Sequence, residues 1–390
     1  MNDTTTTARN TPSNDVTLSA AEHRWLKLEP IKVGWHGSEW KGFEREIRMA
    51  FDEATEQGLL DRRYEFLFEY DAGLPQGTAQ AGIRSYERLV EAGCIAVVGA
   101  NYTDSAMALA ETVNSAKVPL LSMCGTDAFH GDYCFRLGNG DVGCEPVLIT
   151  AWLRRNGFER CAVLAPWTPI SEEYFRFFRQ ECRRLDLSIA AVENTHPLIS
   201  VEALAAKLSI LRDANADALV WLGYGGMVVD KTVQRALELI DWDPPRIMTT
   251  AFMQYIWGME QLEGWVGIDQ WCPDNPRMRA FHERFVARYG VDPVMWPNAI
   301  PGLAYDMAQT MVEAIFRAPI LTGPGIKTGL ERIRFLPACT GGPNTHIAGG
   351  PYDHQMFKGD WLHYGRVRNG QLEFAGLFVA VDSLTADRSS

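Results

Sequence analysis

Short apolar runs alternate with amphipathic stretches along most of this chain, and that alternation constrains its fold more than any other feature. "IKVGW" (31–35) has the pattern of a strand, and "FEREIRMAFDEATEQG" (43–58) that of a helix stopped by Gly58. "YEFLFEY" (64–70), a helix over 77–93, "IAVVGA", a helix over 104–116 and "VPLLSM" continue the series. A second series starts at "CAVLAP" (161–166) and the helix "SEEYFRFFRQECRRL". It runs on through the helix "SVEALAAKLSILRDAN", the strand "ADALVWLG" (216–223) and a helix over 228–240 to "RIMTTAF". Such repetition predicts an α/β fold, with parallel sheets, helices on both faces and right-handed connections. After helices at 302–318 and 325–333 comes a Gly/Pro-rich stretch, then two short runs joined at Asn369–Gly370, a pair that predicts a hairpin.

A chain of 390 residues exceeds one ordinary core, so more than one domain is expected. The net charge of −12, with no basic block, argues against nucleic acid and anionic membrane as partners. No stretch approaches the ~18 apolar residues of a membrane span. The first 30 residues are rich in Thr, Asn and Ser and read as a disordered arm. They lack the basic start and the apolar run of ~7–15 residues of a secretory signal, so the expected location is cytoplasmic as written. A different native start would make it periplasmic. The eight cysteines form no CxxC pair and no zinc-like cluster, and Cys94 and Cys161 lie in or beside apolar strand patterns.

Two turns stand out. "VVGANYTDSA" (97–106) and "LLSMCGTDAF" (120–129) each run from an apolar strand into small polar residues and then onward. In parallel sheets, ligands bind beyond the carboxyl ends of strands, where loop N–H groups and helix dipoles converge. Thr103 and Thr126 fall at that point of successive units. The plainer alternative is that Thr103 and Asp104 only cap a helix.

These segments, with "IKVG", "EYDAG" (69–73), "FRLGNGD" (135–141) and "GLAYDMAQTMVEA", occur in an order that resembles the type I periplasmic solute-binding proteins. That group includes the branched-chain amino-acid-binding proteins of ABC transporters and an amide-sensing branch. The resemblance implies two Rossmann-like lobes joined by a three-crossover hinge. The first lobe would comprise 31–140 and 273–345, and the second 141–272 and 346–380, with a flexible tail over 381–390. It further implies that Thr103 and Thr126 hydrogen-bond the polar head of a ligand, beside Tyr102 and the backbone of Cys124 and Gly125.

Amino-acid binders of that family usually supply an acid for the ammonium at the end of a second-lobe strand. The matching segment, "RIMTTAFMQ" (246–254), carries Thr249, Thr250, Ala251 and Phe252 but no acid. Either Glu39 or Asp230 substitutes, or the ligand has no ammonium; the cost of burying an unpaired charge favours the second. Trp35, Trp40, Trp167, Tyr174, Tyr224 and Phe252 fall near predicted strand ends. Of these, Trp40, Trp167, Tyr224 and Phe252 are expected to line the cleft around a flat or apolar ligand tail.

Other motifs lead nowhere. "VWLGYGGMVV" (220–229) lacks the third glycine of a dinucleotide loop, and no GxSxG, Walker A or HExxH sequence occurs. His346, His354 and His363, near Asp353 and Asp360, match no common metal spacing. His36 is expected to satisfy backbone groups, and Asp71 to cap a loop. No cofactor, metal or catalytic residue is expected. The implied function is therefore non-catalytic capture of a small organic acid, amide or amino-acid-like solute by hinge closure. The implied partner is an ABC permease. The alternatives are a cytoplasmic sensor acting on a regulator and, less favoured, an enzyme using Cys124.

Overall fold

The computed structural model describes residues 28–74, 77–196, 198–223, 231–250 and 262–377. The apolar runs become strands and assemble into two separate sheets. The first is a 5-stranded sheet in the order β2-β1-β3-β4-β5, parallel throughout. Its strands are β1 (Ile31–His36), β2 (Tyr64–Glu69), β3 (Ala96–Gly99), β4 (Leu120–Ser122) and β5 (Cys134–Arg136).

Helices α1 (Glu44–Glu56), α2 (Ala79–Glu91) and α3 (Thr103–Ala116) connect these strands. Thr78 caps α2 by accepting the Ala81 N–H. The helix α1 buries Ile47, Ala50, Phe51 and Ala54, which recur at helical spacing. Against it pack α8 (Pro276–Tyr289) and α9 (Ala299–Arg317), which return from much later in the chain. The helix α10 (Gly323–Glu331) lies against α9.

The second sheet is 7-stranded, β15-β14-β10-β9-β8-β6-β7. Its strands are β6 (Arg160–Pro166), β7 (Ser188–Thr195), β8 (Ala218–Trp221), β9 (Arg246–Met248), β10 (Trp265–Asp269), β14 (His363–Arg368) and β15 (Gln371–Leu377). The strands from β7 to β10 are parallel, while β14 and β15 add an antiparallel edge. Asn369 and Gly370 both take positive φ in the tight turn between β14 and β15, the hairpin that the sequence predicts. The helices of this half are α4 (Cys144–Arg155), α5 (Pro169–Arg184), α6 (Val201–Asp213) and α7 (Lys231–Leu239).

A small sheet of β11 (Leu336–Pro337), β12 (His346–Ile347) and β13 (Phe357–Lys358) forms from the Gly/Pro-rich stretch. It leans on the first sheet, through an Arg136–Gln355 bridge and His354 stacked on Phe135 at 4.0 Å. Residues 346–358 therefore sit with the first lobe, whereas the sequence reading assigns them to the second. The cause is the side-by-side pairing of Arg136 with Gln355, which no local pattern reveals.

Three segments cross between the lobes: after β5, after β10 and ahead of β14. One residue ties them together. The side chain of Gln270 accepts the Gly140 N–H at 3.2 Å, and its carbonyl accepts the Gly341 N–H at 2.8 Å. Asp306 on α9, fully buried, braces the third crossing. It accepts the N–H groups of Cys339 (2.7 Å) and Thr340 (2.9 Å) and the Thr340 hydroxyl (2.7 Å). All eight cysteines are free thiols, and most are buried.

Candidate functional site

In an open parallel sheet, a crevice opens where the strand order reverses. In the first sheet that point lies between β1 and β3, which run side by side although β2 separates them in sequence. Their ends approach closely: a Cβ on Gly99 would stand 2.0 Å from the His36 carbonyl oxygen. His36, at the end of β1, is fully buried. Its Nε2 lies 3.2 Å from the Gly82 carbonyl, and its Nδ1 lies 3.7 Å from Asp71 Oδ2. Burial pushes the imidazole pKa down despite the nearby Asp71 carboxylate, which favours the neutral form. Asp71 also accepts the Gly73 N–H at 2.9 Å and the Ser105 hydroxyl at 3.0 Å. The expected roles of both residues, backbone satisfaction and loop capping, match this geometry.

The β3 and β4 loops meet beside this cluster. Tyr102 is the N-cap residue of α3, and its side chain makes no capping bond. Thr103 and Asp104 are the first residues of the helix and are both buried. The Cys124 thiol donates to the Ala100 carbonyl at 2.8 Å and lies within bonding reach of Thr103. Burial pushes that thiol up to about 12. Gly125 is wedged against the first crossing, because a Cβ there would stand 2.2 Å from the Gly140 carbonyl oxygen. Thr126, fully buried, accepts the Ala128 N–H at 3.1 Å and donates to Glu173 Oε2 at 2.6 Å. Glu173 belongs to α5, in the other lobe, so this bond spans the gap between lobes. Arg136 secures the Thr126 carbonyl at 2.7 Å, and Arg176 lies 3.7 Å from the other Glu173 oxygen, Oε1.

The second lobe answers with another buried acid. Glu145, near the start of α4, accepts the Asp141 N–H (2.8 Å), the Tyr174 hydroxyl (2.7 Å), and the Thr250 N–H (2.5 Å) and hydroxyl (2.6 Å). Complete burial pushes its pKa up to about 7, while those same donors pull it down. Thr249 donates to the Gly223 carbonyl and accepts the Gly223 N–H at 3.1 Å. The two threonines after β9 therefore hold their own lobe together.

The aromatics divide. Trp167 follows β6 and is 79% exposed. Tyr174 is buried on Glu145. Trp40 departs from expectation: it is 2% exposed, packed edge-on against Trp35 at 5.5 Å in the core of the first lobe. A large indole close to a strand end gains more by joining that core than by facing solvent. Tyr224, Phe252, Ala251 and Asp230 lie outside the described residues, as does the side chain of Glu39. In the tail, His354 meets Glu331 at 3.3 Å and His363 is buried. No group of three metal-ligating side chains forms among the described residues. Nor is any described helix long and apolar enough to cross a membrane.

Two acids escaped the sequence reading. Glu145 carried a signal, an acid inside the otherwise apolar "CEPVLIT". Glu173 carried none, since it is one of two adjacent glutamates on an amphipathic helix.

A family model described as "Periplasmic binding protein" matches residues 33–363. The chain belongs to the periplasmic binding protein family. A search of curated protein sequences finds no match. Solved structures of periplasmic binding proteins share the fold. A type 1 protein from Bordetella pertussis aligns with a TM-score of 0.74 at 17% identity, covering 89% of this chain and 100% of that one. An ABC transporter substrate-binding protein from Desulfitobacterium hafniense, in complex with Leu, aligns at 0.73 and 17%, with the same coverage. A branched-chain amino acid transporter substrate binding protein from Streptococcus pneumoniae, in complex with isoleucine, aligns at 0.72 and 20%, covering 90% and 99%. The expected α/β architecture of two hinged lobes is that of this periplasmic binding protein.

Proposed function

We propose that this protein captures a small amino-acid-like solute between its lobes and presents it, closed, to an ABC permease. The observation that carries the reading is the convergence of Thr103, Cys124 and Thr126 at neighbouring parallel strand ends, with Glu173 of the other lobe against Thr126. Membership of the family supports it, as do fold relatives whose structures hold leucine and isoleucine. The mechanism is a population shift. A solute that touches both lobes favours the closed arrangement by its differential affinity, and the partner reads that shape. The chain does no chemistry in this reading.

The test is a thermal-shift screen of amino acids, organic acids and amides, because a ligand selective for the native state raises the melting temperature. The expected result is a concentration-dependent rise with one class, lost in the double variant T103A/T126A. An undiminished rise in that variant would put the pocket elsewhere.

A further inference from the structure

We infer that Asp104 is the acid that holds a protonated amine of the solute, so the ammonium site is built by the first lobe. The inference rests on the solute-binding reading above and names the class of solute. Asp104 is the second residue of α3, directly after Thr103, and is only 9% exposed. Its Oδ1 is buried and accepts no hydrogen bond from any described residue. No described cation pairs with it. A carboxylate in the first turn is ordinarily explained as a helix cap, but here Tyr102 occupies the N-cap and the Asp104 oxygen bonds none of the first-turn N–H groups.

The surroundings are also acidic. The charges of Asp71 and Asp104 both act on the Cys124 thiol, and Asp104 directly follows Thr103, which lies within bonding reach of that thiol. Asp71 Oδ2 is likewise buried without a hydrogen bond, facing a His36 whose burial disfavours the charged form. Glu173 closes the other side through Thr126. The arginines nearby are already engaged, Arg136 on the Thr126 carbonyl and Arg176 at Glu173. A solute bearing only an anionic head would set its charge against three carboxylates. A buried, unpaired carboxylate is unfavourable until a donor cation reaches it, and an ammonium supplies both the charge and the N–H groups. Burial raises the Asp104 pKa, as an unpartnered acid requires. On this inference the solute carries an ammonium, where "MTTAF" led to the expectation of a solute without one, and the acid absent from that segment has its counterpart at the start of α3.

The test compares matched probes by calorimetry: leucine with 4-methylpentanoate, and phenylalanine with 3-phenylpropionate. The expected result is binding by an amine-bearing member at least tenfold tighter than by its deaminated partner. D104N should erase that preference while leaving the melting temperature of the free protein unchanged or higher. A deaminated partner binding as tightly as the amine would overturn the inference and leave solute binding standing. So would a D104N variant that melts lower and weakens both members alike, which is the mark of a structural cap. Binding by none of these probes would overturn the inference together with its amino-acid-like premise.

Discussion

The Thr126 hydroxyl donates to the Glu173 carboxylate at 2.6 Å and so joins a strand end of the first lobe to α5 of the second. Glu173 is 14% exposed and Thr126 is fully buried, so water competes poorly for either group. A charge-assisted bond of this kind contributes about 1.5–3 kcal/mol. Breaking it should shift the balance between open and closed lobes by roughly tenfold or more. E173A is therefore expected to raise the radius of gyration of the ligand-free protein in small-angle X-ray scattering. An unchanged profile would mean that other contacts keep the lobes together.

Gly125 gives a steric counterpart. Its Cα lies so close to the first crossing that an added Cβ would meet Gly140 O at 2.2 Å and the Asp141 Cα at 2.7 Å. Both are backbone atoms and cannot rotate away. Overpacking of this sort costs about 1–3 kcal/mol. G125A is expected to lower the melting temperature by roughly 1–4 °C. Melting at the wild-type temperature would show that the crossing can shift freely.

The strand–helix series was legible because a buried parallel strand reads as an apolar run bounded by turn residues. The β3 and β4 loops, the helices flanking them and the Asn369–Gly370 turn follow from local chemistry alone. The strand β7 escaped notice because it lies at a sheet edge and is partly exposed along most of its length, which blurs its pattern. The two-residue strands β11, β12 and β13 exist only through their pairing. At the site, Thr103 and Thr126 were visible as turn residues, but the Thr126–Glu173 and Glu145–Thr250 bonds join residues 47 and 105 positions apart. Periodicity carries no information over such separations, and it could not separate Trp40, a core residue, from Trp167, an exposed one.

The Cys124 thiol is the candidate nucleophile of the enzyme alternative, and its environment opposes that role. Burial pushes it up to about 12, and the thiol hydrogen is committed to Ala100 O at 2.8 Å. Only the thiolate attacks an electrophile, and at pH 8 almost none forms. Iodoacetamide is expected to leave Cys124 unmodified in the folded protein and to alkylate it after denaturation, as read by peptide mass spectrometry. Rapid labelling of the native protein at Cys124 would reopen the case for covalent chemistry.

Glu145 makes a prediction whose sign follows from linkage. Its folded pKa is raised from 4.5 to about 7, chiefly by burial, so the native state holds this proton more tightly than the unfolded chain does. Between pH 4.5 and 7 the unfolded state loses the proton first, and native stability falls as pH rises through that window. The full effect is on the order of 3 kcal/mol, reached above the folded pKa. Asp306, raised from 3.8 to about 6 by burial, acts in the same direction at lower pH. The two can be told apart. Glutamine at 145 has no proton to lose, so E145Q should flatten the fall between pH 6 and 7.5 while keeping the part due to Asp306 below it. Melting curves across pH 4 to 8 for wild type and E145Q provide the comparison. Parallel curves would mean that the Tyr174 and Thr250 hydroxyls, with the N–H groups of Asp141 and Thr250, already hold Glu145 ionised at every pH sampled.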